Sequence, residues 1–217
     1  LSGINFALHY KALRGKPINY FKDAECRFFT ILILIIGLIV SLATYQPNTE
    51  SFLISLRKGF FTTIALVTGT GFSTINYDEW SNSIKVLLVG MMFFGGCAGS
   101  TTGGMKIVRI YVLFKKMVRE IKVFMKPSSV IHTKLNQKPV DTQIVTQIST
   151  FFVIFIFIFA LGSFVMSFYT PDLETAVSCT IATLGNVGPG LSNVGPMENY
   201  SNIAPSGQAF LAFLMLL

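Results

Sequence analysis

The chain alternates long uncharged runs with polar turns and short glycine-rich stretches. Residues 28–45 form a run of 18 positions without a charged side chain, and residues 144–169 form a second such run of 26. Each run is long enough to cross the hydrocarbon core of a membrane as a helix. A third apolar segment covers residues 81 to about 117, and the chain ends in a further apolar run from residue 202. The pattern predicts a membrane protein built from helices.

Two shorter and more polar segments follow the uncharged runs, at residues 51–67 and 175–184. Each carries threonines among its apolar residues and ends in a glycine-rich stretch, at 66–77 and 184–191. Both halves of the chain therefore have one order: long helix, turn, short helix, glycine loop, long helix. This order predicts a parallel internal repeat.

A three-residue motif aligns the two short segments. Thr63-Ile-Ala65 begins eight residues before Gly71, and Thr180-Ile-Ala182 begins eight residues before Gly188. Chance supplies one such triplet easily, but not at matched spacing in matched surroundings. The motif therefore predicts that Gly71 and Gly188 occupy equivalent positions.

Composition and charge placement support a membrane protein and fix its orientation. Only 12% of the residues are charged, against about 25% in a soluble domain, and the mean hydropathy is +0.62. Of the 17 Lys and Arg, five lie before residue 28 and nine lie in 106–138. The positive-inside rule places both basic stretches in the cytoplasm, which also accounts for the net charge of +7 without a nucleic-acid partner.

The same charges indicate a re-entrant segment. Two cytoplasmic stretches must be separated by an even number of membrane crossings, yet three apolar segments lie between residues 28 and 117. The short segment 51–67 is the best candidate for the one that does not cross. Non-helical backbone at membrane depth occurs only where it is buried in protein or lines a water-filled cavity. The first glycine loop is therefore predicted to line a pore.

The glycine loops are predicted to bind a dehydrated monovalent cation through backbone oxygens. Glycine reaches the positive-φ conformations that turn successive carbonyls inward, and Gly69, Gly71, Gly185, Gly188 and Gly190 are expected to use them. The alternative is a pair of glycine-rich turns without function. The predicted K+ ligands, the filter residues, are Gly69, Thr70, Gly71, Asn186, Val187 and Gly188.

A third glycine-rich stretch interrupts the apolar segment 81–117. One helix of that length would measure about 55 Å, far more than a bilayer requires, so a broken helix with a gating loop is predicted. The alternative is close helix packing through small residues four positions apart. The predicted gating residues are Gly95, Gly96, Gly99, Ser100, Thr101, Thr102, Gly103 and Gly104.

Two basic residues follow this stretch directly. Lys106 and Arg109 are candidates for an electrostatic barrier at the inner mouth of the pore, or for ordinary positive charges beside anionic lipid. The three cysteines are scattered and predict neither a disulfide framework nor a metal cluster. Because catalytic dyads and triads are also absent from the sequence, we expect no enzyme, no organic cofactor and no bound metal other than potassium.

Four stretches resemble the Trk/Ktr/HKT superfamily of potassium transporters, most closely the bacterial Trk type. The resemblance covers nearly the whole chain, and its most specific part is Gly-Gly-Cys-Ala-Gly-Ser. The matching stretches are Ser2-Gly-Ile-Asn-Phe6, Thr68-Gly-Thr-Gly-Phe72, Gly95-Gly-Cys-Ala-Gly-Ser-Thr-Thr-Gly-Gly104 with Met105-Lys106, and Gly185-Asn-Val-Gly-Pro-Gly190.

The resemblance implies an all-α polytopic membrane protein with repeated helix–pore loop–helix units, two of an expected four being present. It implies potassium transport in the bacterial inner membrane by a homodimer, in contact with lipid and with a cytosolic nucleotide-binding regulatory subunit. The expected divisions are 1–27, the end of a preceding unit; 28–117, the third unit; 118–143, a basic linker; and 144–217, most of the fourth unit.

Two departures from the superfamily qualify this expectation. The first two units are missing, and the chain stops before an arginine that the superfamily carries in its last helix. The chain is therefore expected to be a fragment that does not transport alone. The alternative functions are an alternating-access carrier for a small solute, which uses broken helices as its site, and a membrane scaffold.

Overall fold

The computed structural model describes residues 2–47, 51–125, 134–135 and 138–217. The predicted linker 118–143 lies partly outside these residues. Within the described part, nine α-helices, three 3-10 helices and one pair of short antiparallel strands are present. The α-helices and strands are α1 Phe6–Leu13, α2 Asn19–Lys22, α3 Ala24–Thr44, α4 Phe52–Val67, α5 Asn82–Met92, α6 Ile107–Met125, β1 Lys134–Leu135, β2 Lys138–Pro139, α7 Thr142–Met166, α8 Leu173–Leu184 and α9 Pro205–Leu214.

The two uncharged runs form the longest apolar helices, as predicted. Each begins at an aspartate whose side chain accepts an amide hydrogen of the first turn, Asp23 from Cys26 and Asp141 from Gln143. This cap supplies an acceptor for one of the amides that a helix start leaves unpaired. By length and composition, α3 and α7 are the two described helices able to cross a membrane.

The surface of α7 distinguishes it from the core helix of a soluble protein. The hydropathy of α7 is higher than that of α3, yet only 11% of the most apolar stretch of α7 is buried. The exposed side chains include Val153, Phe157 and Phe164. A large exposed apolar surface of this kind requires an apolar solvent or a partner, which agrees with a position facing lipid.

Each long helix packs against the short helix that follows it, α3 against α4 and α7 against α8. One hydrophobic core joins the two halves, because it includes Val40 and Leu66 from the first half and Phe155 and Ile181 from the second. The glycine loops lie at the ends of α4 and α8, so this shared core fixes their relative position.

The predicted break in the segment 81–117 is present. Helix α5 ends at Met92 and α6 begins at Ile107, and the residues between them are not helical. The alternative of small residues packing along a continuous helix is therefore wrong, since Gly95, Gly99 and Gly103 do not lie on a helix.

Candidate functional site

The first loop (residues 68–72) and the second loop (residues 185–190) share their backbone hydrogen bonds at a constant offset of 117 positions. In each loop, one carbonyl of the short helix accepts two amide hydrogens from the loop. These bonds run to Ala65 O from Thr70 N (3.0 Å) and Gly71 N (3.3 Å), and to Ala182 O from Val187 N (2.8 Å) and Gly188 N (3.4 Å). The aligned motif thus ends both short helices in the same turn.

The backbone dihedral angles follow the same correspondence. Gly69 and Asn186 have φ of 59° and 52°, and Gly71 and Gly188 have φ of 64° and 106°. Positive φ is strained for a residue with a side chain. At the first of these two positions the second loop has Asn186 where the first loop has Gly69. At the second position both loops have glycine, Gly71 and Gly188.

Two of the five glycines do not use positive φ, and that prediction was wrong for Gly185 and Gly190. Their lack of a side chain serves close packing instead. A Cβ on Gly185 would lie 2.6 Å from the Met92 carbonyl oxygen, and one on Gly190 would lie 2.8 Å from a methyl carbon of Val194. Both distances are too short for real atoms, so any side chain there would displace the neighbouring segment.

The two loops contact each other directly. A Cβ on Gly71 would overlap the Val187 carbonyl oxygen, and one on Gly69 would lie 3.5 Å from the Asn186 carbonyl oxygen. The structure thus brings together the six predicted filter residues, three from each loop.

Most of the carbonyls at this contact have no hydrogen-bond donor in the described part of the chain. Among the described residues, the carbonyl oxygens of Gly69, Thr70, Gly71, Asn186 and Val187 accept no hydrogen bond. The Gly188 carbonyl differs, because it accepts a hydrogen bond of 2.6 Å from the Tyr200 hydroxyl. Unpaired carbonyls grouped in this way can act as ligands for a cation.

The glycine segment (residues 93–106) lies against the second loop. A Cβ on Gly103 would stand 2.5 Å from the Gly185 carbonyl oxygen. The base of the segment is held by Gly95 N donating to Met105 O at 2.8 Å and Met105 N donating to Phe93 O at 3.2 Å. The eight predicted gating residues therefore form one closed loop beside the candidate filter.

Hydroxyl groups stabilise the interior of the glycine segment. Thr102 accepts the Gly96 amide hydrogen at 2.7 Å, and the Ser100 hydroxyl donates to the Cys97 carbonyl at 2.6 Å. Gly99 and Gly104 have φ of 73° and 63°, and Thr101 is exposed. Serine and threonine thus provide, inside the loop, the hydrogen bonds that a helix would otherwise make.

Lys106 and Arg109 have different surroundings. The Lys106 ammonium donates to the carbonyl oxygens of Ser100 and Thr102 and to the Thr102 hydroxyl. The Arg109 guanidinium lies over the Phe151 ring, 3.9 Å from its centroid. Lys106 therefore contacts the glycine segment directly, whereas Arg109 packs against α7.

Several contacts around the site did not emerge from the sequence pattern. The N-terminal stretch reaches the glycine segment, because Cys97 N donates to Gly3 O at 2.8 Å and Phe6 N donates to Gly99 O at 3.1 Å. The Glu25 carboxylate reaches the same segment. An acidic residue at the start of a transmembrane helix was the available signal for Glu25.

A second set of contacts joins the halves on the side of the 3-10 turn Tyr77–Glu79. The buried Tyr77 donates its hydroxyl hydrogen to the Gly190 carbonyl at 3.2 Å, and Asp78 accepts the Ser192 amide hydrogen at 3.0 Å. Both residues follow the first loop and bond to the second loop or the turn beyond it, so they help fix the distance between the loops.

Comparison with known proteins gives consistent matches over the whole chain. The sequence matches the TrkH family, described as cation transport protein, over residues 1–217. It is 33% identical to the Trk system potassium uptake protein TrkH of Salmonella typhimurium, over 100% of this chain and 45% of the relative. An uncharacterized cation transporter of Methanocaldococcus jannaschii is 35% identical over 74% of this chain and 31% of the relative.

The fold matches as well. The crystal structure of the potassium transporter TrkH from Vibrio parahaemolyticus superposes with a TM-score of 0.90 and 30% sequence identity, over 99% of this chain and 46% of that one. The chain therefore spans a little under half the length of these TrkH relatives. The matched family is one of membrane cation transporters rather than of enzymes, and this chain belongs to the TrkH family of cation transport proteins.

Proposed function

We propose that the chain forms part of a potassium pathway in which the first and second loops supply adjacent sides of a selectivity filter. The observation that carries this proposal is the group of five carbonyl oxygens at the contact of the two loops that accept no hydrogen bond from the described residues. Potassium is the transported ion. It would exchange part of its hydration shell for these oxygens, because backbone carbonyls coordinate K+ at close range.

The short helices support the same role. Helices α4 and α8 both end at the loops, so the partial negative charge of each C-terminus lies next to the candidate ion site. In this proposal α4 and α8 are pore helices, and each half is one helix–pore loop–helix unit. No acidic side chain lies in either loop, so the backbone supplies the ligands.

A complete pathway needs more than these two units. The resemblance assigns two further units to a ring of four, and this chain covers 45% or 46% of its TrkH relatives. The proposal therefore concerns the complete natural protein: a multi-pass protein of the bacterial inner membrane, surrounded by lipid and working as a homodimer. The relatives' name, Trk system, fits a cytosolic nucleotide-binding regulatory subunit as its partner.

The glycine segment is the proposed gate. It lies against Gly185 of the second loop with no room for a side chain, and Lys106 holds its carbonyls. A movement of this segment would therefore change the space beside the filter. Three glycines of the segment, at 95, 96 and 103, stand where a Cβ would be too close to neighbouring backbone.

The decisive experiment is K+ uptake by a K+-uptake-deficient bacterium that expresses the complete natural chain. Wild type is compared with Gly188→Ser, and Rb+ and Na+ are the competitors. We expect wild type to restore growth at low K+, and Gly188→Ser to weaken both the rescue and the preference for K+ over Na+. Serine at φ 106° distorts the loop that carries the ligands.

The control is the same substitution at a glycine outside the loops. Gly90 lies in α5 and does not have positive φ, and no heavy atom of the described residues lies within 4 Å of its Cβ position. Gly90→Ser should leave ion preference unchanged. Absence of rescue by wild type, or rescue indifferent to Gly188→Ser, would contradict the potassium pathway.

A further inference from the structure

Glu25 is a buried acid that has no role in the proposed filter and is not among the predicted gating residues. It lies in the first turn of α3, and only 8% of its surface is exposed. A carboxylate withdrawn from water is unfavourable unless it accepts hydrogen bonds. Its position therefore requires partners, and those partners indicate what it does.

One oxygen of this carboxylate bonds both the middle of the glycine segment and the first turn of α6. Glu25 Oε1 accepts the Ala98 amide hydrogen at 2.6 Å and the Val108 amide hydrogen at 3.1 Å. Ala98 lies within the segment, and Val108 lies in the first turn of α6. A single atom on a third helix thus holds together the two places between which the segment would have to open.

This arrangement differs from an ordinary helix cap. A residue that only capped α6 would bond an amide of its first turn, and the Val108 contact meets that description. The shorter of the two contacts, however, is to Ala98, which is ten positions earlier and not helical. Capping of α6 does not explain this second bond.

We propose that Glu25 is a positioning residue that holds the glycine segment in its closed conformation. The effect of opening on K+ flux rests on the proposed function, whereas the fastening of the segment by Glu25 does not. When Glu25 releases Ala98, the part of the segment that includes Cys97 and Gly99 loses its link through Glu25 to α6. The backbone hydrogen bond from Ile107 N to Gly96 O (3.1 Å) then holds the segment to α6 without the support of a charged acceptor. Because the far side of the segment touches Gly185 of the second loop, its displacement alters the space beside the filter.

The test uses Cys97 as a native reporter in the complete natural chain. Cys97 lies next to Ala98 and is 1% exposed, and Cys179 in α8 is fully buried at 0%. Labelling of each cysteine by a small maleimide in native membranes is followed by peptide mass spectrometry. Cys179 reports general unfolding, whereas Cys97 reports opening of the glycine segment. K+ uptake is measured on the same cells with K+ and Na+ in competition.

Glu25→Ala removes the acceptor, and Glu25→Gln retains an oxygen that can accept both amide hydrogens. In Glu25→Ala we expect Cys97 labelling to rise by about tenfold, because hydrogen bonds to a charged acceptor are strong, with Cys179 unlabelled. Basal K+ flux should rise through its maximal rate, while the half-saturating K+ concentration and K+/Na+ preference stay unchanged. Glu25→Gln should restore protection of Cys97 and return flux most of the way to wild type.

The outcomes separate this inference from the proposed function. Unchanged Cys97 labelling in Glu25→Ala with Cys179 still protected would overturn it, as would a change in ion preference without a change in labelling. If Glu25→Ala fails to fold, Glu25→Asp decides, because the shorter side chain keeps the charge but withdraws the carboxylate from the Ala98 and Val108 amides. Labelling of Cys97 above wild type then supports the fastening, and wild-type labelling with wild-type flux overturns it. Increased Cys97 labelling in a protein whose wild type carries no K+ would support the fastening and reject the potassium pathway.

Discussion

Glycines at the two loops are required for different reasons, which only the structure separates. Gly71 combines φ of 64° with a Cβ position that overlaps the Val187 carbonyl oxygen. Gly188 has φ of 106° but open space around its Cβ position. Strain acts at both positions, whereas steric overlap acts at Gly71 alone. Equivalent positions in the sequence therefore do not tolerate substitution equally.

The two glycines should consequently differ in folding stability. We expect Gly188→Ala to cost about 1–3 kcal/mol through backbone strain, and Gly71→Ala to cost more because the second loop must also move. The measurement is the yield and melting temperature of each variant in detergent. Gly90→Ala is the control and should cost nothing, since alanine favours the helix more than glycine does. Equal losses at Gly71 and Gly188 would show that the loops do not contact as described.

Asp78 predicts a pH dependence of stability. Burial raises the pKa of this carboxyl above its usual 3.8, against the lowering effect of the Ser192 amide hydrogen. The folded protein therefore binds this proton more tightly than the unfolded chain does. Asp78 makes its full contribution to the free energy of unfolding below 3.8, and that contribution declines as pH rises through the raised value.

The variant Asp78→Asn should remove that decline. We expect the melting temperature of wild type, relative to Asp78→Asn, to fall as pH rises above about 4 and to level off above the raised pKa. Glu79→Gln is the control, because Glu79 is on the same turn and bonds Asn76 in an exposed position. If the melting temperature of wild type instead rose relative to that of Asp78→Asn as pH rises, the assigned direction of the pKa shift would be wrong.

At the scale of elements, the sequence predicted the helices well because periodicity and charge depend on local composition. The runs at 28–45 and 144–169 became α3 and α7, and the short segments became α4 and α8. The break between α5 and α6 followed from length and glycine content. These features depend on neighbours in the chain or on the thickness of a bilayer.

What the sequence did not reveal depends on contacts between distant elements. The hydrogen bonds from Glu25 to Ala98 and from Tyr77 to Gly190 join positions 73 and 113 residues apart. No periodic pattern encodes such a pair. For the same reason positive φ was assigned to Gly185 and Gly190, although packing against other segments explains both.

Lys106 and Arg109 were predicted together, and their contacts now separate them. If Lys106 fastens the glycine segment, Lys106→Met should raise basal K+ flux by about tenfold, because it removes charge-assisted hydrogen bonds to the segment. Arg109→Met should leave basal flux near wild type, since Arg109 stacks on Phe151. Flux of radioactive Rb+ into cells without a regulatory partner is the measurement.

An electrostatic barrier at the inner mouth would give a different result. If Lys106 and Arg109 acted through their electric field, removal of either charge would raise flux. The effect of each removal would be smaller at high ionic strength. Equal responses of Lys106→Met and Arg109→Met would therefore favour the barrier over the fastening. Protection of Cys97 provides a second measurement, because a barrier leaves the segment closed.

At the scale of the whole molecule, the two halves share one hydrophobic core, and the basic and acidic residues lie in different connecting segments. Buried residues from both halves pack together around Leu88, Met92 and Val187. The basic residues gather before residue 28 and after residue 105, whereas most acids lie in the remaining connections. This asymmetry predicts an orientation with the turn Tyr77–Glu79 outside and α1 inside.

Cysteines introduced at two exposed positions test this orientation by maleimide labelling. Leu13 at the end of α1 is 89% exposed, and Met197 beyond the second loop is 61% exposed. The three native cysteines are buried, so their background is low. In intact cells a membrane-impermeant maleimide should label Met197→Cys but not Leu13→Cys, and permeabilised cells should show labelling of both.

The result also tests the re-entrant assignment of α4. If α4 crossed the membrane, three crossings would separate α1 from α6, and the two basic regions would lie on opposite sides. A further cysteine at Phe124, which is 89% exposed near the end of α6, separates these cases. Protection of both Leu13→Cys and Phe124→Cys in intact cells requires an even number of crossings. Protection of only one would mean that α4 spans the membrane and that the first loop cannot line a pore from outside.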